Sequence, residues 1–243
     1  MSGHSHAKTV MATKMANAAK KGKVFSKFGR LITIAAKEGG SDPLSNSKLR
    51  MSIDQARQFN MPKENIERAI KKGTGELAGE NLEEVSFEGL GPGGITFIIE
   101  GITDNKNRTL GEIKTILNQN NGKLAGEGAV RWMFSRRGVI TIETENQTSN
   151  IKKEELEMAV IEAGAEDVYL SDNAFLVYTK PEELEKVKKT LEEKQIKINS
   201  SSLDWVAKEE VELQEKEKEQ AQKLFEALDE NDAVNNIYFN LKN

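Results

Sequence analysis

Val24, Phe25, Phe28, Leu31, Ile32 and Ala35 recur at steps of three and four, which predicts one apolar stripe on a helix from about Lys23 to Lys37. Lys27, Arg30 and Lys37 are expected to flank that stripe. Gly39-Gly40 with Ser41-Asp42-Pro43 stops the helix, because the residue before a proline is driven out of the helical region. A second helix, about Asn46 to Phe59, buries Leu49, Ile53 and Ala56. Met61-Pro62 opens a third, with Pro62 in the first turn, Glu64 at the positive end, and Lys71, Lys72 and Gly73 at the stop. Residues 1–75 therefore read as an all-helical unit.

Past a Gly-rich linker, Thr74 to Asn81, the period becomes that of strands. Glu84 to Glu88 and Gly94 to Thr103 read as strands joined across Gly89-Leu90-Gly91-Pro92-Gly93, whose glycines are expected to supply positive φ. A helix from about Arg108 to Asn120, capped from Thr103-Asp104-Asn105, and a strand from Gly128 to Phe134 follow. Next come strand 138–143, helix 152–163, strands 167–170 and 174–178, helix 181–193 and strand 197–202, the βαββαβ order of a ferredoxin-like unit. The leftover helix 209–229 and strand 233–241 are too short for a core of their own and are assigned to the earlier set. The reading is α+β: a helical domain (1–75), a discontinuous α/β domain (76–134 plus 205–243) and an inserted ferredoxin-like domain (135–204).

Chemistry narrows the choices. The chain has no cysteine, which excludes disulfides, thiolate nucleophiles and thiolate metal sites, and its two histidines, His4 and His6, sit at the N-terminus. No catalytic residues, metal ligands or cofactors are assigned. Gly73-Thr74-Gly75 and Gly91-Pro92-Gly93-Gly94 lack the phosphate-loop spacing and read as turns. The longest apolar stretches, 31–36 and 95–99, fall far short of the roughly 20 residues needed to cross a bilayer. Trp132 and Trp205 are read as packing between the two α/β units in preference to base stacking.

Charge is distributed unevenly. Residues 1–75 carry fifteen Lys and Arg against five acids, a net of +10, whereas the other 168 residues carry 20 bases and 34 acids, a net of −14. Such asymmetry is the footprint of a polyanion-binding module on an acidic body. A transit peptide would favour Arg and Ser over Lys. A solvated lysine face, or one paired with the acidic remainder of the chain, is the other competing reading. The candidate nucleic-acid contacts are His4, His6, Lys8, Lys14, Lys20, Lys21, Lys23, Lys27, Arg30, Lys48, Arg50, Lys63, Arg68, Lys71 and Lys72, with Lys20 to Lys27 expected at the surface. Lysines give affinity for phosphates, whereas duplex readout needs Arg, Asn or Gln on a groove-binding helix, and no helix-turn-helix spacing stands out. Structured RNA is the favoured ligand.

Several runs resemble the YebC family, which includes the mitochondrial translational activator of cytochrome c oxidase subunit one. They are Gly3-His4-Ser5, Gly22-Lys23-Val24-Phe25-Ser26-Lys27, the stretches 36–43 and 60–73, Phe87-Glu88-Gly89, Gly91-Pro92-Gly93-Gly94, 103–109 and 163–167. The resemblance spans essentially the whole chain and implies a helical N-terminal domain followed by two α/β domains. It also implies a non-catalytic role facing nucleic acid, for which two readings exist: a DNA-binding transcriptional regulator, or a ribosome-associated translation factor. One departure is local. Family members commonly follow Gly-His-Ser with Lys-Trp and a basic cluster, whereas this chain has His6-Ala7-Lys8-Thr9, which implies a weaker N-terminal arm. The expectation is a cytoplasmic, non-enzymatic regulator of gene expression bound to ribosomal RNA, with duplex DNA as the alternative, and with neither membrane nor small-molecule substrate as a partner.

Overall fold

The structure is a computed structural model that describes residues 18–143, 153–170 and 174–242, with side chains from Lys21 onward. Three helices open it: α1 (Ala18–Gly39), α2 (Ser47–Gln58) and α3 (Lys63–Gly73). Asn46 caps α2 by accepting the Leu49 N–H, and Pro62 stands at the N-cap of α3, one position ahead of the expected first turn. Val24, Phe28, Ile32 and Ala35 of α1 pack on Leu49, Ile53 and Ala56 of α2 and on Ile66 and Ala69 of α3. Ile32 and Leu49 are fully buried, each side chain contributing on the order of 1.5–3 kcal/mol.

The single flanked stripe expected of α1 is a two-sided helix. Its opposite face carries Ile34, which packs with Leu82 and Ile102, and the cations Lys23, Lys27 and Arg30 at helical spacing. These three reach the far end of the chain. Lys23 donates to the Glu230 carbonyl, Lys27 to the Asp229 carbonyl at 2.6 Å, and Arg30 to the Asp232 carbonyl at 2.9 Å. Lys27 and Asp229, each 3% exposed, also form an ion pair at 3.1 Å.

The first sheet has the strand order β3-β1-β2-β8: β1 (Glu83–Leu90), β2 (Thr96–Thr103), β3 (Lys123–Leu124) and β8 (Val234–Phe239), antiparallel throughout. One face packs on α4 (Lys106–Gln119) and α7 (Glu215–Asp229), where the Phe225 and Phe239 rings stack at 4.6 Å. The expected strand 128–134 is instead turn and 3-10 helix up to Met133, and the short β3 takes the edge position. The alternation of Val130, Trp132 and Phe134 imitates a strand, but the backbone amides of this loop have another partner.

That partner is Glu88. Its side chain is buried on the sheet's second face and accepts the N–H groups of Gly128 and Val130 at 2.8 Å and of Arg131 at 3.0 Å. Burial opposes its charge, but the three amides and the Arg131 guanidinium prevail and hold the carboxyl below the ordinary value of 4.5. Its neighbour Gly89 is required by packing, since a Cβ there would overlap the Phe97 ring. In the β1–β2 connection only Gly93 and Gly94 take positive φ, at 66° and 80°.

The second sheet has the order β5-β6-β4-β7, formed by β4 (Phe134–Glu143), β5 (Asp167–Leu170), β6 (Ala174–Thr179) and β7 (Ser200–Ala207). The helices α5 (Lys153–Glu162) and α6 (Leu184–Glu193) pack on it through Leu156, Val160, Val187 and Leu191. This is the antiparallel ferredoxin-like arrangement, with β7 running to Ala207. Glu100 joins the two sheets, accepting from Trp205 Nε1 at 2.8 Å, Arg136 at 2.9 Å and the Tyr238 hydroxyl at 3.2 Å. Burial, with Asp204 and Glu100 nearby, pushes the Tyr238 phenol well above its ordinary value, so it remains a donor.

Two outcomes are expected. Lys27→Met leaves the buried Asp229 without its ammonium partner and should destabilise the protein by about 3–5 kcal/mol, with a double Lys27→Met, Asp229→Leu change recovering part of the loss. Urea unfolding checks this, and a midpoint equal to wild type would show that the pair does not hold the docking. For Glu88 the folded pKa is depressed, so its stabilisation is complete above the unfolded value and is lost as pH falls through the lower folded one. Glu88→Gln should therefore be less stable than wild type at pH 7 and show a shallower stability loss between about pH 5 and pH 3. Parallel pH profiles for the two proteins would refute this role.

Candidate nucleic-acid interface

The basic unit divides by what each cation touches. Lys23, Lys27 and Arg30 are bound to the α7–β8 connection, contrary to the expectation that the first two lie free on the surface. The reason is electrostatic: the C-terminal carbonyls of α7 carry the negative end of its dipole, which Lys27 and Lys23 cap, while Arg30 on the same face of α1 holds the Asp232 carbonyl in the connection that follows. Lys48 bridges Glu38 and Glu84 at 2.6 Å each. Burial works against its charge, but the two carboxylates outweigh it and raise the amine above its ordinary value. Arg50 donates to the Pro43 carbonyl and to Glu185 of α6 at 2.7 Å. The carbonyls of Asn199 and Ser201 accept from Gln58 and Gln55, completing the contact of α2 with the second sheet. Five candidates therefore have roles within the fold.

The other described candidates are exposed. Lys63 is 3.6 Å from Glu67 on its own helix, whereas Lys21, Arg68, Lys71 and Lys72 have no ion-pair partner among the described residues. Arg68 and Lys72 join Arg30 around a cavity of about 430 Å³ between α1 and α3, with Phe25 and Met61 in its lining and Glu80 its acidic member. Cationic side chains over a partly apolar wall suit a phosphate backbone with its sugars. His4, His6, Lys8 and Lys14 lie outside the described residues, as does the side chain of Lys20.

A second basic cluster was not singled out from the sequence. Arg131 and Arg136 lie over the Trp205 ring at 5.4 and 5.2 Å, and Arg137 lies over Tyr178 at 6.0 Å. Trp205 thus packs between the sheets, but Trp132, expected to pack between the two α/β units as well, is 68% exposed. A signal was available: three of the four arginines beyond residue 75 lie within 131–137, and no acid intervenes between Glu127 and Glu143.

Among the described residues, no group of three or more His, Cys, Asp or Glu side chains is placed to hold a metal ion. No described helix is long and apolar enough to cross a membrane.

Comparison with known proteins agrees with this architecture. The TACO1/YebC N-terminal domain matches residues 5–76, and the TACO1/YebC second and third domain matches residues 82–241. A "probable transcriptional regulatory protein" of Thermoanaerobacter pseudethanolicus is 45% identical over 242 residues, covering 100% of this chain and 97% of its own length. One of the same description from Bacillus licheniformis is 43% identical over 241 residues, covering 99% and 100%. The crystal structure of a conserved hypothetical protein from Aquifex aeolicus superposes with a TM-score of 0.84 at 40% identity, covering 93% of this chain and 91% of that one. With both domain matches spanning nearly its whole length and the three-part fold shared at 40% identity, the chain belongs to the TACO1/YebC family.

Proposed function

We propose that this protein is a non-enzymatic, cytoplasmic regulator of gene expression that grips nucleic acid, and that its ligand is ribosomal RNA, engaged during translation. The observation that carries this reading is the set of cations the fold leaves available: Lys21, Arg68, Lys71 and Lys72, exposed and without ion-pair partners among the described residues. The division of the chain at 1–75, 76–134 with 205–243, and 135–204 belongs to the same proposal, with the first unit as the gripping module. Lysine on an exposed helical face recognises phosphate spacing without reading bases. Of the four arginines in this unit, Arg30 and Arg50 are bonded within the fold, which leaves Arg68 and the exposed Arg57, 3.9 Å from Asp54, for groove readout. A folded RNA, recognised through backbone and shape, makes the smaller demand.

The second reading, a DNA-binding transcriptional regulator, is favoured by the descriptions given to the relatives in Thermoanaerobacter and Bacillus. It uses the same cations on a different polyanion.

The discriminating experiment is sedimentation of the full-length protein with ribosomes across a salt series, beside a mobility shift on genomic duplex fragments. Arg68→Glu, Lys71→Glu and Lys72→Glu together should abolish co-sedimentation while lowering the melting temperature only slightly, the effect of two acids in the last turn of α3. In wild type, contacts to three phosphates predict a slope of log affinity against log salt near −2 to −3, about 0.7–0.9 per phosphate. Charge reversal at Lys23 and Lys27 should instead lower the melting temperature. Absence from ribosomes, together with a fragment bound far above bulk duplex, would move the assignment to transcription; ribosome binding indifferent to the triple change would refute this interface.

A further inference from the structure

Trp132 is the most exposed aromatic side chain among the described residues, at 68%, in a protein whose other tryptophan is packed between two sheets. A surface indole is commonly a mobile ring; this one is held. Its Nε1 donates to the Ala129 carbonyl at 2.9 Å, and its own carbonyl accepts from Lys208 Nζ at 2.7 Å. It stands on the 3-10 turn Arg131–Met133, directly after the amides that Glu88 binds. A buried carboxylate thus fixes the loop from beneath while the ring faces solvent. Arg131 and Arg136 are partly exposed, and Lys208 is exposed; the nearby surface acids Glu127 and Glu209 lie at the ends of the patch in sequence.

We infer that Trp132 is a stacking platform for an unpaired nucleobase, with the exposed Lys208, whose ammonium stands at the Trp132 carbonyl, beside it for a flanking phosphate. A flat, preoriented aromatic face bordered by cations is how single strands are held without sequence readout, and a base paired inside a duplex has no free face to offer. Charge selects this occupant over an acidic-surfaced protein's apolar patch: the exposed Lys208 stands at the Trp132 carbonyl, and the segment 128–142 contains no acid, its Arg131 and Arg136 answering Glu88 and Glu100. The platform lies outside the basic helical unit, so the protein holds an RNA at two places, one reading backbone and one requiring an unpaired base. The inference rests on the nucleic-acid reading proposed above.

The test measures full-length wild type, Trp132→Ala, Trp132→Phe and the Arg68, Lys71, Lys72 triple reversal against a fluorescein-labelled single-stranded oligouridine and an RNA duplex of equal length. Trp132→Ala should weaken oligouridine binding about 10- to 100-fold, the effect of losing one stacked base, and leave duplex affinity and melting temperature unchanged. Trp132→Phe should restore most of the affinity. Tryptophan emission should be quenched by oligouridine in wild type and unaffected in Trp132→Phe, where Trp205 is the remaining indole. The triple reversal should weaken both probes. Unchanged oligouridine affinity in Trp132→Ala, with the triple reversal still weakening both probes, overturns the platform and spares the nucleic-acid reading. Wild type binding neither probe overturns both. Equal weakening of both probes by Trp132→Ala, or a change in the sedimentation coefficient of the protein alone that marks Trp132 as a contact between copies, also overturns the platform.

Discussion

The ammonium of Lys27 is taken out of water and set against the last carbonyls of α7, with the Asp229 carboxylate beside it. Removing two charges from solvent costs several kcal/mol each unless further bonds satisfy them, so this pair stands only while α1 and α7 remain docked. Lys23 and Arg30 extend the contact along the same helical face, joining segments some two hundred residues apart. The rest of the arrangement follows from it. With one side of α1 occupied by α2 and α3 and the other by the end of α7, the basic unit cannot present all its lysines outward, and α3 becomes its available face.

A similar logic runs through the two carboxylates on the second face of the first sheet. Glu88 and Glu100 lie on neighbouring strands, each in a place where an isolated acid would be costly, and each is satisfied by donors from another element. Glu88 collects loop amides and Glu100 collects Trp205, Arg136 and Tyr238. The strands thereby provide fixed anchors, Glu88 for a loop without regular structure and Glu100 for β4 and β7 of the second sheet. That is how a loop with the alternation of a strand becomes a rigid mount for Trp132.

The functional picture that results differs from a uniformly sticky basic domain. Part of the positive charge holds the three units together, and the part that remains available lies on the α3 face, around the cavity it shares with α1 and at Lys21 near the start of α1. In the function proposed, positive charge serves both architecture and binding, and mutagenesis that reverses lysines indiscriminately would mix the two. The acidic remainder of the chain supplies the partners for the first role and carries, at residues 131–137, a cationic segment of its own.

Much of the fold was legible in one dimension, because helical and strand periods, proline and glycine stops and the βαββαβ order are local properties of neighbouring residues. The apolar spacing of Val24, Phe28 and Ile32 locates α1, and the return of the C-terminal helix and strand to the first sheet follows from their being too short to stand alone. Family membership was likewise visible in continuous runs such as 60–73. The division of the lysines was not. Whether Lys27 meets phosphate or Asp229, whether Trp132 packs or projects, and whether 128–133 pairs as a strand or donates its amides to Glu88 depend on residues 40 to 200 positions away. Local sequence determined the elements and the net charge of each unit; only tertiary docking decided which charges and rings face solvent, because exposure belongs to what covers a side chain and not to the side chain itself.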